Sequence, residues 1–495
     1  MTLIEETKTQ GAAEKHSDPR GNLALLVIMT GVLIAAVDTT IVVLALPEIE
    51  RALHVGVTNV IWVIIAYLLV VTLLSTQVGR LGDMFGRVRM YKAGFVVFVI
   101  GSALCALSWD EWSMVGFRVL QGVGGALISA NSGAVIADTF PQERRGRAYG
   151  FTSIGWNVGA ILGIVLGGAM VTYISWRWIF WINVPIGIAA VLAAQRVLHD
   201  RSERRPHRLD PIGMLLLGAA LSGILLAMTR LATNPLDSAD IGLLVGGVVL
   251  LVAFGVYENA IDEPMVNLSI FRLPTMTPSL GASMFQSLGN YAVLFLVLMY
   301  LQGVRRLSPL DASLLLVPGY LVGGMVGPLS GRLADRLGPI LPATIGLGVQ
   351  VIALALYAQL SVSTALGFVV LASIVNGIGG GGFFPANNAA IMKASPRQVF
   401  GVASGMLRTF ANVGMIFSFS VAILVASHSI SRGLAFAIFV GTTSLHAGLA
   451  RAFTHGLHNA FFASMGLLAV AAALSATRVL GGRHVPKEEP APATE

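Results

Sequence analysis

The chain has 495 residues, of which 55% are hydrophobic and only 12% charged, with a formal net charge of +7 and a mean hydropathy of +0.78. A water-soluble domain carries roughly 25% charged residues, so a soluble fold of this length is excluded and lipid must solvate most of the chain. Its basic residues sit in short loops rather than on one soluble face, which argues against nucleic acid as a partner.

Residues 1–22 are polar and of mixed charge, from Glu5 and Glu6 to Asp18 and Arg20, and lack a secretory cleavage pattern. They are expected to stay in the cytosol as a tail, with 29–46 acting as an internal signal. Apolar runs about 20 residues long then predict spanning helices; barrel strands would alternate over about 10. The fourteen runs are 23–46, 58–78, 91–108, 113–136, 147–171, 178–198, 210–230, 240–258, 278–301, 310–330, 340–359, 365–391, 400–426 and 457–478. The apolar stretch 434–450, with His446, is shorter and is placed in an outer loop, as a re-entrant or interfacial piece. If it spans, the C-terminus changes side.

With fourteen spans and an inner N-terminus, inner segments hold about 23 of the 32 Lys and Arg, and outer segments about seven. The exceptions within spans are Arg118 and Arg408. Both termini are therefore expected in the cytosol. Cys105 is the single cysteine, so no intrachain disulfide forms.

Asp38 lies near the middle of the first run. A carboxylate at membrane depth is costly, so the residue is read as a proton carrier, the alternative being a hydrogen-bonded packing contact. Between the second and third runs stands Gly79-Arg80-Leu81-Gly82-Asp83-Met84-Phe85-Gly86-Arg87. The pattern returns between the tenth and eleventh runs as Gly331-Arg332-Leu333-Ala334-Asp335-Arg336-Leu337-Gly338. Two copies roughly 250 residues apart, in matching membrane context, indicate a duplicated protein. The register requires six spans, two inserted, and six more. The predicted architecture is thus all-α and membrane-embedded, with six-helix bundles at 23–198 and 278–478. A basic linker with two inserted helices occupies 199–277, and a polar, disordered cytosolic tail 479–495.

Arg118 opens the fourth span, with Gln121 one turn along the same face. A guanidinium keeps its proton, so it needs a partner or water: it either tunes a nearby acid or contacts helix carbonyls. Gly155, Gly159, Gly163, Gly167 and Gly168 form a small-residue stripe that lets another helix approach. Gln286, Asn290 and Tyr291 form a polar patch in the ninth span. Asn376, Phe384, Asn387 and Asn388 surround a Gly-rich, Pro385-containing stretch of the twelfth. Backbone of that kind is tolerated at membrane depth where it lines a cavity or is buried in protein. These residues are substrate-binding candidates, with Gln121 and Arg408. Arg408 is either a structural arginine or a contact for an anionic or carbonyl-bearing substrate. No zinc-spaced histidines, nucleophile elbow or phosphate loop is present, so neither an enzyme nor a primary pump is expected, and no metal or cofactor is required.

Over residues 23–478 the chain resembles the major facilitator superfamily, and within it the fourteen-span drug:proton antiporters. The resemblance rests on Val37-Asp38-Thr39-Thr40 through Pro47, Trp62 with Tyr67, the 79–89 loop, and Arg118 through Ala126. It continues in Phe140-Pro141 with Arg144, Gly146, Arg147 and Ala148, and in Trp176 through Gly187. It implies two bundles rocking about a central cavity, with the inserted pair at the periphery. It also implies a monomer in a prokaryotic inner membrane and loop residues (Gly79, Asp83, Gly86, Arg87; Gly331, Asp335, Arg336) that gate the cytosolic side. The expected function is proton-coupled export of a hydrophobic or amphipathic small molecule, with Asp38 and Arg118 in the coupling role. Two departures stand out. Ile164 replaces the Pro of the antiporter motif, and Arg408 stands where the family usually has an amide. The alternative is therefore a metabolite exporter, symporter or uniporter of the same fold.

Overall fold

A computed structural model describes residues 19–55, 59–60, 62–200, 210–233, 237–262, 264, 266, 268–426 and 447–481. Among them, fourteen helices are long and apolar enough to cross a membrane. Their main helices are α1 (Pro19–Leu53), α2 (Trp62–Phe85), α3 (Arg87–Ala106), α4 (Glu111–Thr139), α5 (Arg145–Tyr173), α6 (Asn183–Val197, within the span Trp178–Val197) and α7 (Pro211–Thr233). The others are α8 (Ser238–Ala260), α9 (Met276–Met299), α10 (Val317–Leu337), α11 (Ile340–Tyr357), α12 (Leu366–Ala394), α13 (Phe400–Ala426) and α14 (Ala447–Gly481).

Boundaries differ from the hydropathy pattern where polar chemistry continues a helix. α14 begins at Ala447, ahead of the expected 457, so the last residues of the 434–450 stretch are helical; 434–446 lie outside the described residues. α9 runs on into a π-helical turn, Tyr300–Val304. The sixth span opens with a separate turn, Trp178–Trp181. α5 is a continuous helix through Ile164, as a sequence without an internal proline allows.

Local sequence explains the tight connections. One residue, Gly86, separates α2 from α3 at φ 108, a conformation cheap only for glycine. α4 starts with a capping box in which the Ser113 amide donates to Asp110 Oδ1 at 2.7 Å.

α1 packs along α5, α3 against α4 and α6, and α2 against α4. In the second half α10 packs on α12, α11 on α12 and α14, and α9 on α13 and α14. Two long seams join the halves, α2 with α13 and α5 with α10. α7 pairs with α8 and lies against both α2 and α13. Gln77 Nε2 fixes it to the first half by donating to the Met214 carbonyl at 2.9 Å. α8 turns Val245, Val249, Val252 and Val256 outward at 55% to 67% exposure, as a lipid-facing helix must.

The glycine stripe of α5 seats α1. A Cβ on Gly155 would lie 2.9 Å from the Met29 carbonyl, and one on Gly159 would lie 2.6 Å from that of Leu33. Gly163 abuts Thr40 and Val37, Gly167 abuts Ile41, and Gly168 faces Leu310. Gly159→Leu is expected to destabilise the protein by about 1–3 kcal/mol through overpacking. Gly246→Ala, in α8 with nothing within 4 Å, is expected to be neutral. Thermal unfolding in detergent compares the two.

Candidate functional site

The first-half cluster starts with α1, which carries Asp38 to a position with no solvent exposure. α4 brings Arg118 and Gln121 to it. Arg118 Nη1 donates to Asp38 Oδ1 and Oδ2 at 3.0 and 2.8 Å and to Gln121 Oε1 at 2.6 Å. Gln121 Nε2 donates to Asp38 Oδ1 at 2.8 Å. Arg118 Nε donates to the Val63 carbonyl of α2 at 2.7 Å, and its guanidinium lies 4.5 Å from the Tyr67 ring centroid. Behind Gln121 the network continues through Ser102 to Asn183 and the Phe180 carbonyl. The carboxylate is therefore ion-paired and hydrogen-bonded, which is what a buried charge requires.

A central cavity of about 240 Å³ opens between the halves and draws its walls from α1, α2, α4, α5, α9, α10, α11, α12 and α13. It meets the buried cluster at two residues. Thr39 follows Asp38 on α1, and Tyr67 lines the cavity while its ring lies against Arg118. The second-half wall includes the aromatic side chains Tyr291, Tyr320 and Phe384 and the amides Asn290, Asn376 and Asn388. Arg408 is the one charged residue among the described lining residues.

The two loop motifs lie at the end of the cavity where the halves meet. Asp83, at the end of α2, accepts from the amides of Gly401 and Val402 at 2.9 and 3.0 Å, at the start of α13. A carboxylate there also meets the positive end of the helix dipole. Arg87 holds Asp83 at 2.7 Å, pairs with Asp138 at 2.6 Å and donates to the Arg397 carbonyl across the seam. The second copy does the same in the opposite direction: Asp335 accepts from the amides of Gly146 and Arg147 at 2.8 Å each, at the start of α5. Glycine makes both contacts possible, since a Cβ on Gly79 would strike the Gly401 carbonyl and one on Gly331 the Gly146 carbonyl.

Of the substrate-binding candidates, Asn290, Tyr291, Asn376, Phe384, Asn388 and Arg408 reach the cavity. Gln121 belongs to the Asp38 cluster instead. Gln286 is buried behind the wall, donating to Gln350 Oε1 at 3.2 Å. Asn387 points away from the cavity: its Oδ1 accepts from Arg478 Nη1 at 2.8 Å, and its Nδ2 donates to the Ser279 carbonyl. Among the gating candidates, Arg336 is exposed and takes part in no ion pair among the described residues, because its place in the repeat is that of Met84, not of Arg87. Sequence reasoning passed over three participants. Gln350 joins Gln286, Asn290 and Asn376 into one amide network. Asp138 completes the Arg87 pairing. Arg478, at 1% exposure, ties α14 to α9 and α12. Gln350 could have been found as the one polar side chain in the middle of an apolar run.

The sequence profile described as Major Facilitator Superfamily matches residues 28–419. Among characterised relatives, the tetracenomycin C resistance and export protein of Streptomyces glaucescens is 30% identical over 394 residues, covering 79% of this chain and 73% of the relative. The drug efflux pump JefA of Mycobacterium tuberculosis is 32% identical over 406 residues, covering 81% and 79%. The riboflavin transporter RibZ of Clostridioides difficile is 28% identical, covering 79% and 85%. In fold the chain is similar to the proton:xylose symporter XylE, with a TM-score of 0.64 at 15% identity, covering 95% of this chain and 97% of that one.

Proposed function

The chain belongs to the major facilitator superfamily of membrane transporters, and from that premise we propose that it exports a hydrophobic or amphipathic small molecule in exchange for protons. The observation that carries the coupling is the position of the Asp38–Arg118 pair, one layer behind the cavity wall and linked to it by Tyr67. Protonating Asp38 removes the counter-charge of Arg118. The guanidinium then keeps a neutral acceptor at position 38 beside the Val63 carbonyl, Gln121 and the Tyr67 and Phe180 rings, so proton load and cavity shape become linked through α2 and α4. Substrate pressing on Tyr67 has the converse effect. One such carboxylate corresponds to about one proton per cycle. The bundles 23–198 and 278–478 rock as units about the two seams, with the motif contacts closing the cytosolic side. The export relatives support a drug-like cargo. Both termini lie in the cytoplasm and the protein acts as a monomer in the cell membrane.

In proteoliposomes with an internal pH dye, a panel of lipophilic cations, neutral drugs and organic anions is expected to yield at least one compound that triggers proton movement. Asp38→Asn is expected to reduce that movement at least ten-fold while retaining substrate exchange. Transport of equal rate in both proteins, with no proton movement, would replace this reading with uncoupled export.

A further inference from the structure

Arg118, Arg408 and Arg478 are buried or half-buried within the spans, and their surroundings differ. Arg118 has Asp38. Arg478 has the Ser279 hydroxyl, the Asn387 amide oxygen and both oxygens of Ser475. Arg408 has no hydrogen-bond acceptor and no carboxylate among the described residues, and it is the one whose side chain reaches the central cavity. The titratable groups near enough to interact with it are Tyr291 and Tyr67, one from each half. No acidic residue lines the cavity among the described residues, and the one carboxylate close behind the wall is already held by Arg118. An arginine keeps its charge at any physiological pH, so a cation facing a cavity without a counter-charge is completed by whatever enters.

Resting on the transporter reading of this cavity, we propose that the cargo is an amphipathic organic monoanion, a carboxylate or ionised phenol carried on a planar ring system. Its charged oxygens seat on Arg408. A planar guanidinium offers parallel donors that fit a carboxylate in two-point contact. The ring system is sandwiched between Tyr67 and Tyr291 on the Arg408 side, with Trp156, Tyr320 and Phe384 on the wall. Asn290, Asn376 and Asn388 supply neutral donors and acceptors for the remaining polar groups. A lipophilic cation would be repelled by Arg408 and would find no carboxylate in return, so the same wall selects against the opposite charge.

The test uses three probes that share one ring and differ in charge: 1-naphthaleneacetate, 1-naphthaleneethanol and (1-naphthylmethyl)trimethylammonium. Binding to the full-length purified protein is followed by tryptophan fluorescence, since Trp156 lines the cavity. Wild type is expected to bind the anion at least ten-fold tighter than the alcohol and the cation more weakly still. Arg408→Gln is expected to erase the preference, and Arg408→Lys to keep most of it. Equal binding of anion and alcohol by wild type, or tighter binding of the cation, overturns the proposal even if Arg408→Gln fails to fold. An unchanged preference in a folded Arg408→Gln overturns it too. The pH-dye assay with the probe that binds keeps the two readings apart. An alcohol that drives proton movement leaves proton-coupled export standing and sinks the anion. An anion bound through Arg408 that moves no protons does the reverse.

Discussion

Arg118→Met is expected to lower stability by about 3–5 kcal/mol, the cost of leaving one partner of a buried ion pair without the other. The reason is specific to this site. Asp38 has no solvent exposure and takes both of its charge-assisted hydrogen bonds to a cation from Arg118, so the variant leaves a carboxylate with Gln121 as its remaining donor. Asp38→Asn alone is expected to cost less, because an asparagine still accepts from Arg118 and the cation retains the Val63 carbonyl and the Tyr67 ring. The double variant Asp38→Asn/Arg118→Met is expected to recover most of the loss, leaving about 1 kcal/mol for the Val63 carbonyl stripped of its donor. Thermal unfolding in detergent of the four proteins gives the coupling energy directly. Additive single effects would show that the pair does not interact, and would remove the basis for linking Asp38 to Arg118 in proton coupling.

The second large effect concerns which end of the cavity is closed. Asp83→Ala is expected to shift the closed-to-open ratio at the motif end by roughly 30- to 700-fold, equivalent to about 2–4 kcal/mol for losing charge-assisted bonds to two backbone amides and to Arg87. Asp335→Ala is expected to shift it less. Asp335 holds a corresponding pair of amides, those of Gly146 and Arg147, in the other seam but lacks a bonded arginine and is only half-buried. Spin labels at Arg89→Cys and Leu337→Cys, both exposed and one in each half, report the separation. The native thiol, Cys105, is buried and does not compete for label. A distance distribution identical in wild type and Asp83→Ala would show that the caps do not hold this end together.

Most of the fold was legible because lipid imposes a simple rule: each crossing needs a long apolar run, and all fourteen runs became helices. The duplicated loop was legible because its glycines and acids recur in order. Its chemistry was less so, since the partners of Asp83 and Asp335 are backbone amides 318 and 189 positions away, and any residue supplies an amide. Neighbouring Asn387 and Asn388 show the limit on the substrate side. On a helix, successive residues point about 100° apart, so one faces the cavity and the other holds Arg478. Arg478 itself reads in sequence as one more positive charge at the end of a span. Its burial depends on Ser279 and Asn387, and no pattern local to 478 announces that.

The position of α7 has a consequence for how molecules dissolved in the bilayer reach the protein. Of the two flanks along which the halves meet, that of α2 and α13 is overlaid by α7 at Gln77 and Met214. The other presents Leu321, Met325 and Leu329 of α10 at 52% to 72% exposure. The added helix pair thus shutters one side door and leaves the opposite one bare. A molecule approaching from the leaflet at that end would meet a covered flank on one side and a bare one on the other, although both flanks are framed by matching helix pairs.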